Sequence, residues 1–393
     1  MSPLTTKTPL LAEDSPLDAV SKALIHDIYE AEQEKAKNLP TDDPLDPKRK
    51  KRVVFTYDEM IEQPAVVERN LHAAGETIKK LAKYLAGKNI NKVYFTGCGD
   101  SVAAMIAVRS AWENLLGIPC EPIQALDFTY FYHQPVDDHS LVVTLSSSGK
   151  TTRTVEAMLI ARAKGAITLC LSNTQGSPLM AESDRGILID AERKGWPTQS
   201  STAAMALLYL LGIQFAKHAK KNVMLADRLE MGLLETPELI EQVLSTHQEN
   251  IKAVAAREAE KEIYLFSSGG PTFGSALIGA AKVKECSPNH AIAIPLEEYH
   301  HYNSQKAGDP LWLLAPQGFN IPRAVDTAHE GRRWGGKIYS LTTEKVAIFD
   351  ELSDEVFFLP EINEMLSPMI YTIPLQMFAY DLAMAKFARA ERL

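Results

Sequence analysis

Apolar runs that end in small turns of Gly and Ser, and lead directly into helix-like segments, recur along this chain of 393 residues. Each run has the length and the β-branched or aromatic content of a buried strand, and each following segment has the apolar spacing of a helix. The clearest examples cover residues 93–108, 141–159 and 262–285. Strands that alternate with helices in this way predict an α/β fold in which mostly parallel sheets are flanked by helices.

The turn after the run 141–145 is rich in hydroxyl groups. This serine loop contains Ser146, Ser147, Ser148, Gly149, Lys150 and Thr151. The helix that follows leaves backbone N–H groups unpaired at its start and has partial positive charge there, so the loop predicts a site for one anionic group, first of all a phosphate. No Gly-x-x-x-x-Gly-Lys-Ser/Thr motif is present, which disfavours a mononucleotide. In the simpler alternative, Ser148 or Thr151 only caps the helix.

A second turn with binding potential lies upstream, where the run 93–96 is followed by Gly97, Cys98, Gly99, Asp100 and Ser101. The glycines allow a tight turn and a close approach of the backbone to a ligand, and the Ser101 hydroxyl is a further donor. Ligands of open parallel sheets bind beyond the carboxyl ends of the strands. The two turns are therefore expected to converge on one site.

Taken together, the two turns resemble the sugar isomerase (SIS) domain family, whose pattern is strand, Gly-x-Gly-x-Ser, helix, strand, Ser-x-Ser-Gly-x-Thr, helix. The resemblance covers roughly residues 56–390 and is strongest to the isomerase half of glucosamine-6-phosphate synthase and to stand-alone sugar-phosphate isomerases and deglycases. The strand, Gly-rich turn and helix at 262–285 look like a second copy of the unit. The resemblance implies an internal duplication of two SIS units, each a mostly parallel sheet flanked by helices in a flavodoxin-like, three-layer arrangement.

The resemblance also implies two catalytic residues. Glu285 ends a Gly-Ala-Ala-Lys-Val-Lys-Glu segment, which matches the helix end that carries the family's base for proton transfer between C1 and C2 of an open-chain sugar. Glu298 and His301 match a Gly-Glu-x-x-His motif whose His assists ring opening, although Glu297 stands where the family has Gly. A carboxylate and an imidazole suit these steps because each can both take and return a proton.

The implied binding residues lie mostly in the first unit. Ser101, Ser146, Ser147, Ser148 and Thr151 are expected to hold the anion, and Gly99, Asp100, Ser200, Ser201 and Glu298 to lie nearer the sugar. Asp100 stands where the synthase has a hydroxyl residue, and it would repel a dianion unless it points away or pairs with a cation such as Lys150. Lys150 stands where the family often has Glu, and its added positive charge suits a phosphate or an equivalent sulfonate or carboxylate.

Other interpretations of these residues stay open. Glu285 could be a solvated carboxylate paired with Lys282 or Lys284, and His301 a solvated loop residue. Zinc binding by His290, His300 and His301 is less favoured, because adjacent residues on a strand point to opposite faces and no Cys pair or His-Glu-x-x-His motif is present. The expected chemistry needs neither a metal nor an organic cofactor.

Composition limits the class of protein. The formal net charge of −9 and the pI near 5.7 argue against a nucleic-acid partner. Four cysteines without a framework of spacings fit a reducing cytoplasm, and no run of eighteen apolar residues or signal peptide occurs. The sequence therefore predicts a cytoplasmic protein without a membrane partner.

The expected domain organisation has three parts. Residues 1–52 form an N-terminal extension with an amphipathic helix at 17–36 and a solvated linker that ends in the basic run 48–52. Residues 53–232 form the first SIS unit and 233–393 the second, with a helix break at Pro237 between them and a last helix at 367–389.

Three functions remain possible from the sequence. Aldose–ketose isomerisation of an anionic hexose through an enediol is favoured, because Glu285 and His301 provide all that it requires. Deglycation of a fructosamine 6-phosphate or deamination of glucosamine 6-phosphate uses the same proton transfer, and a non-catalytic sugar-phosphate sensor is the third alternative. The resemblance further implies a homodimer in which His301 of one chain serves Glu285 of the other. No Cys follows Met1, so glutamine-dependent ammonia transfer is not expected.

Overall fold

Two parallel sheets of five strands each dominate the structure, a computed structural model that describes residues 9–302 and 304–392. The first sheet contains β1 (Lys92–Gly97), β2 (Cys120–Gln124), β3 (Ser140–Leu145), β4 (Ile167–Ser172) and β5 (Arg185–Leu188). The second contains β6 (Ile263–Ser268), β7 (His290–Pro295), β8 (Pro310–Leu314), β9 (Lys337–Thr342) and β10 (Glu355–Phe358).

Both sheets have the same strand order, β2-β1-β3-β4-β5 in the first and β7-β6-β8-β9-β10 in the second. Every pair of neighbouring strands is parallel, with Gly97 opposite Leu145 and Ser268 opposite Pro295 at the carboxyl ends. All residues of the central strand β3 are buried, as expected for a parallel sheet covered on both faces. The predicted α/β class, parallel sheets and internal duplication are confirmed.

Helices cover both faces of each sheet. They are α1 (Ala19–Ala36), α2 (Pro47–Ile61), α3 (Gln63–Ala86), α4 (Asp100–Leu116), α5 (Ala125–Asp127), α6 (Thr152–Ala163), α7 (Pro178–Glu182), α8 (Gln199–His218), α9 (Val223–Glu258), α10 (Phe273–Cys286), α11 (Leu296–His301), α12 (Ile321–Arg333), α13 (Phe349–Leu352) and α14 (Pro368–Ala390). A π-helical turn spans Phe128–Tyr132, and 3₁₀ turns span Gly270–Thr272 and Glu364–Leu366. Across the described residues, no helix has the length and apolarity needed to cross a membrane.

The two units share one hydrophobic core. Helices α4 and α10, which occupy equivalent places after β1 and β6, pack directly against each other. A Cβ on Gly274 of α10 would lie 2.6 Å from the Ala103 carbonyl oxygen of α4, so the backbones approach as closely as glycine permits. This contact brings the start of α4 near the end of α10, where the site described below is found.

The basic run 48–52 is not a solvated linker, as the sequence had suggested. It belongs to α2, which starts at Pro47 with the Asp46 carboxylate accepting a hydrogen bond from the Lys48 amide. Aspartate before the helix and proline in its first position are favourable signals that the charge run had masked. The Arg49 side chain is buried and donates to the carbonyl oxygens of Thr41 and Glu285.

The expected helix break at Pro237 is also wrong. Helix α9 runs without interruption from Val223 to Glu258, because its buried apolar stripe, which includes Leu233, Ile240 and Val243, holds it against α14 and α3. The predicted boundary between units at 232/233 therefore falls inside a continuous helix. Helix α14 likewise contains Pro374, close to the predicted span of 367–389.

Candidate functional site

A cavity of about 300 Å³ lies at the carboxyl ends of β1 and β3. It is lined by Ser101, Ser146, Ser147, Ser148, Thr151, Ser200, Ser201, Gly99, Asp100 and Glu285, together with Lys35, Cys98, Leu145, Arg193, Pro197 and Ala204. The structure thus brings together all the residues predicted for the site except Glu298 and His301. The hydroxyl groups come from the first unit and the Glu285 carboxylate comes from the second.

Three helices begin at this cavity. The first turns of α4, α6 and α8 contribute Ser101, Thr151 and Ser200 or their neighbours to its wall. Within the described part of the chain, no side chain caps any of these three helix starts. The Ser101 and Ser201 amides already donate to the carbonyl oxygens of Cys98 and Thr198, whereas other amides of these first turns have no helix partner. The partial positive charges of the three helix starts converge on a small volume that suits an anion.

The serine loop is stabilised by hydrogen bonds among its own residues, and none of its side chains caps α6. The Ser146 hydroxyl lies 2.9 Å from the Thr151 hydroxyl, and the Ser148 hydroxyl accepts a hydrogen bond from the Lys150 amide. Gly149 has a φ of +60°, and a Cβ there would lie 2.0 Å from the Ser177 hydroxyl oxygen. Only glycine fits this point of the loop, so the tight return that aims the hydroxyl groups inward depends on it.

Asp100 and Glu285 of the cavity wall belong to a triad of charges with Lys282. Lys282, which is fully buried on α10, forms an ion pair with Asp100 at 2.6 Å and another with Glu285, one turn further along the helix. Asp100 therefore pairs with Lys282 and not with Lys150, the partner suggested from the sequence. Lys150 is exposed and lines a neighbouring cavity, whereas the packing of α4 on α10 places Lys282 directly beside Asp100.

The environment of Glu285 raises the pKa of its carboxyl group. Burial is the main cause, the negative charge of Asp100 adds to it, and the positive charge of Lys282 opposes it. For Lys282, burial alone would lower the pKa, but the two carboxylates outweigh it and raise the pKa above its ordinary value. About 30% of the Glu285 side chain stays exposed, on the cavity side. A carboxylate so placed can bind and release a proton closer to neutral pH than an ordinary glutamate.

Arg49 contacts the backbone at the end of α10, next to the charged triad. Its guanidinium donates a 2.9 Å hydrogen bond to the Glu285 carbonyl oxygen, which lies in the last turn of α10, where helix carbonyls lack partners. Arg52, one turn further along α2, stacks on the Trp196 ring at 3.5 Å from its centroid. Helix α2 thus connects the end of α10 to the segment that precedes α8.

Two further serines of the cavity wall, Ser200 and Ser201, lie at the start of α8. The Ser201 hydroxyl donates to Asp100 at 3.4 Å. The Ser200 hydroxyl is buried at the cavity wall, and it has no hydrogen-bond partner among the residues that the structure describes. A buried hydroxyl without a partner is costly in a protein interior, and a ligand's polar atom would satisfy it.

Sequence analysis missed two basic residues of the cavity, Lys35 of α1 and Arg193 of the segment before α8. The charged end of neither side chain forms a hydrogen bond or an ion pair with any described residue. Burial lowers the pKa of Arg193, although Glu59 opposes this effect. No sequence pattern distinguishes Arg193 from its charged neighbours, and Lys35 belongs to a helix that was assigned to a separate extension.

His301 and Glu298 lie outside the cavity of the same chain. His301 is at the end of α11, its side chain is 60% exposed, and its Nε2 lies 3.4 Å from Glu297. Glu298 is exposed. The adjacent His300 is turned inward, with Nδ1 2.6 Å from Glu330 and Nε2 2.9 Å from the Thr327 hydroxyl. Over residues 9–302 and 304–392, no three His, Cys, Asp or Glu side chains are grouped so as to hold a metal ion.

Part of the chain matches a known protein family. Residues 88–214, which hold the first sheet and every cavity residue except Lys35 and Glu285, match the SIS domain. The chain contains a SIS domain. Its second sheet, with the same strand order, gives this SIS-domain protein two units of the same architecture.

Curated relatives of the protein are longer enzymes. Over 339 residues it is 30% identical to the glutamine–fructose-6-phosphate aminotransferase (isomerizing) of Thermococcus kodakarensis, an alignment that covers 84% of this chain and 55% of that enzyme. It is 29% identical over 302 residues to the Escherichia coli K12 enzyme of the same name, covering 76% of this chain and 49% of the other. The chain spans about half the length of these relatives.

Solved structures with the same fold include the C-terminal domain of glucosamine-fructose-6-phosphate aminotransferase from Francisella tularensis (TM-score 0.76, 23% identity, 84% of this chain and 96% of the other). Tagatose-6-phosphate ketose/aldose isomerase from Escherichia coli gives 0.70 at 16% identity, with 84% and 92% covered. Glucosamine-6-phosphate deaminase from Thermotoga maritima gives 0.62 at 18% identity, with 85% and 94% covered. These similarities show a shared fold.

Proposed function

We propose that this SIS-domain protein interconverts the aldose and ketose forms of an anionic hexose, such as a 6-phosphosugar, through an enediol. One observation supports this above all: a single cavity joins three uncapped helix starts, which suit an anion, to a carboxylate whose pKa is raised. The relatives named for fructose 6-phosphate and the neighbour named for tagatose 6-phosphate agree with such a substrate.

In the proposed reaction, Ser101, Ser146, Ser147, Ser148 and Thr151 bind the anionic group, and the sugar chain extends toward α10. Glu285 removes the proton from the carbon next to the carbonyl, and the electron pair of that C–H bond becomes the C=C bond of the enediol. The carbonyl π electrons pass to the carbonyl oxygen, and the hydroxyl proton of the first carbon moves to that oxygen. Glu285 then returns a proton to the neighbouring carbon, which completes the exchange of aldose and ketose. One carboxylate serves both steps because it takes up a proton from one carbon and delivers a proton to the other, and exchange of the carboxyl proton with solvent between the two steps lets deuterium enter the sugar.

Ring opening is assigned to His301 of a partner subunit in a homodimer. In its own chain His301 is exposed and absent from the cavity wall, so a second copy would have to present it to Glu285. The imidazole suits this step because its ordinary pKa of about 6.5 allows both donation and acceptance of a proton near neutral pH. Glu298, which directly follows Glu297 in the same helix, would lie at the same subunit contact.

Deglycation or deamination of an amino-linked sugar is the second candidate. The Asp100 carboxylate at the cavity wall favours it, since the resemblance would place a neutral hydroxyl there, and a carboxylate oxygen that pairs with Lys282 can still accept a hydrogen bond from an amino group of the substrate. The chemistry begins with the same proton transfer by Glu285, and water then attacks C1. In either case the four free cysteines support activity in a reducing cytoplasm.

Proton NMR in D₂O separates these reactions. The purified protein is incubated with fructose 6-phosphate, glucosamine 6-phosphate or a fructosamine 6-phosphate. Deuterium at C1 or C2 together with a new aldose or ketose would support isomerisation, whereas release of ammonia or of a free amine would favour the second candidate. Binding of all three, detected by thermal shift, without any exchange would contradict both and favour a sensor.

A further inference from the structure

Helix α1, which precedes both SIS units, is docked on the helix that follows the serine loop. Its Ile25 and Ile28 are buried in a cluster with Val155, Met158 and Leu159 of α6. Burying two isoleucine side chains removes apolar surface from water and so stabilises this contact. The position of α1 against α6 is therefore fixed by packing.

A polar contact fixes the end of α1 nearest the site. The hydroxyl of Thr152, the buried first residue of α6, donates a hydrogen bond to the carboxylate of Glu32. Thr152 directly follows Thr151 of the serine loop. The last turns of α1 thus lie beside the loop that is proposed to bind the anion, and the negative charge of Glu32 is engaged by this hydroxyl.

Lys35 is placed on the same face, because residues three apart on a helix are neighbours. It lines the candidate cavity together with the serine loop and Glu285. It also lines the adjacent cavity of about 620 Å³ between α1 and the loop, along with Ser148 and Lys150. Its ammonium group has no hydrogen-bond or ion-pair partner in the described residues. Lys37, by contrast, pairs with Glu34 and lines neither cavity.

The other groups of the cavity provide no free positive charge for an anionic substrate, apart from Arg193. Lys282 is fully buried and already shared between Asp100 and Glu285, so its charge is not available to the substrate's anionic group. The hydroxyl groups and helix amides are neutral donors. Lys35 and Arg193 are the two basic side chains of the cavity wall that no described residue neutralises.

We propose that Lys35 binds the anionic group of the substrate and that α1 is consequently part of the binding site. This inference rests on the proposed function and adds a specificity residue to it. The ammonium closes the serine loop from the solvent side, and it favours sugars with a phosphate or sulfonate over their neutral counterparts, since a charge-assisted hydrogen bond is about twice as strong as a neutral one. Because the contact is made equally to bound substrate and transition state, it should act on KM and leave kcat unchanged.

The test measures binding of inorganic phosphate and of fructose 6-phosphate to the full chain by titration calorimetry, so that it does not depend on turnover. Lys35→Ala should weaken both by about tenfold, equivalent to about 1.4 kcal/mol. Lys35→Arg, which keeps the charge, should stay within about threefold of the wild type. Lys37→Ala, on the same exposed helix end, should bind like the wild type, and melting temperatures should agree across the set because all these side chains lie on the surface.

The outcomes distinguish the two proposals. Equal affinity of Lys35→Ala and wild type would overturn the role of Lys35 and leave the proposed isomerase intact. An equal loss of affinity in Lys37→Ala would also overturn it, because a general effect of surface charge would then explain the result. Absence of phosphate and sugar-phosphate binding in the wild type would overturn both.

Discussion

Asp100 illustrates at the scale of a residue why part of the site was beyond sequence reasoning. Its type and place were known, and repulsion of an anion was expected unless a cation neutralised it. The cation is Lys282, which lies in the second unit and meets Asp100 only because α4 packs on α10. Local patterns predicted the serine loop, because its hydroxyl residues are neighbours in the sequence. The pairing of Asp100 with Lys282 depends instead on the tertiary fold.

Replacing Asp100 by Asn tests the electrostatic account of Glu285. Asp100 raises the pKa of Glu285, so removing its charge should lower that pKa. As the proposed base must be deprotonated, the acidic limb of kcat/KM against pH should move to lower pH. Asp138→Asn, on an exposed loop away from the cavity, should leave the limb in place. A shift of the Asp100→Asn limb to higher pH, or no shift, would contradict the account.

At the scale of elements, the sequence predicted the segments whose ends are marked by neighbouring residues. The turns after β1 and β3 were located because glycine and hydroxyl residues directly follow apolar strands. The sequence did not predict α2, since a charge run concealed its proline start, or the continuity of α9, since its burial against α14 outweighs Pro237. Lys35 escaped attention because nothing local shows that α1 docks beside the serine loop.

Whether the serine loop requires glycine at position 149 can be tested by comparing alanine substitutions at Gly149 and at Gly176, since both glycines have a positive φ. Gly149→Ala introduces both an unfavourable positive φ, which costs about 1–2 kcal/mol, and a clash with the Ser177 hydroxyl. Gly176→Ala has the same kind of strain at φ +69° with no atom within 4 Å of the added carbon. Thermal unfolding should show a larger loss for Gly149→Ala, accompanied by a raised KM for the sugar phosphate. Equal losses with unchanged KM would mean that the loop tolerates a side chain and does not shape the site.

The whole molecule combines two units into one cavity, with hydroxyl groups from the first and the candidate base from the second. The duplication was visible in the sequence, and the two sheets with equal strand order confirm it. Because the two units contribute different lining residues, neither is expected to form the site alone, and the close contact of Gly274 with Ala103 joins them. His301 lies outside the cavity of its own chain, and the homodimer with shared sites stays a prediction.

Mixed dimers test whether subunits share sites. Glu285→Gln and His301→Asn chains, carrying different affinity tags, are co-expressed and the heterodimer is isolated. If His301 serves the partner's Glu285, one of its two sites is intact and activity should be about half that of the wild type, while each homodimeric variant is inactive. An inactive heterodimer would place both residues in one chain's site, and a purely monomeric wild type would exclude sharing altogether.

The central claim is that Glu285 moves the proton of a sugar held by the serine loop. It is tested most directly by the rate of solvent deuterium incorporation at C1 and C2 of the sugar phosphate that the wild type converts, measured alongside the affinity for that sugar. Glu285→Gln should lose about 10²–10⁴-fold in exchange rate, the usual contribution of a general base, and bind the sugar with an affinity close to that of the wild type. The control Glu344→Gln, at an exposed position, should keep the wild-type exchange rate and the wild-type affinity for the sugar. Exchange by Glu285→Gln at the wild-type rate would contradict the claim and assign the proton transfer to another residue.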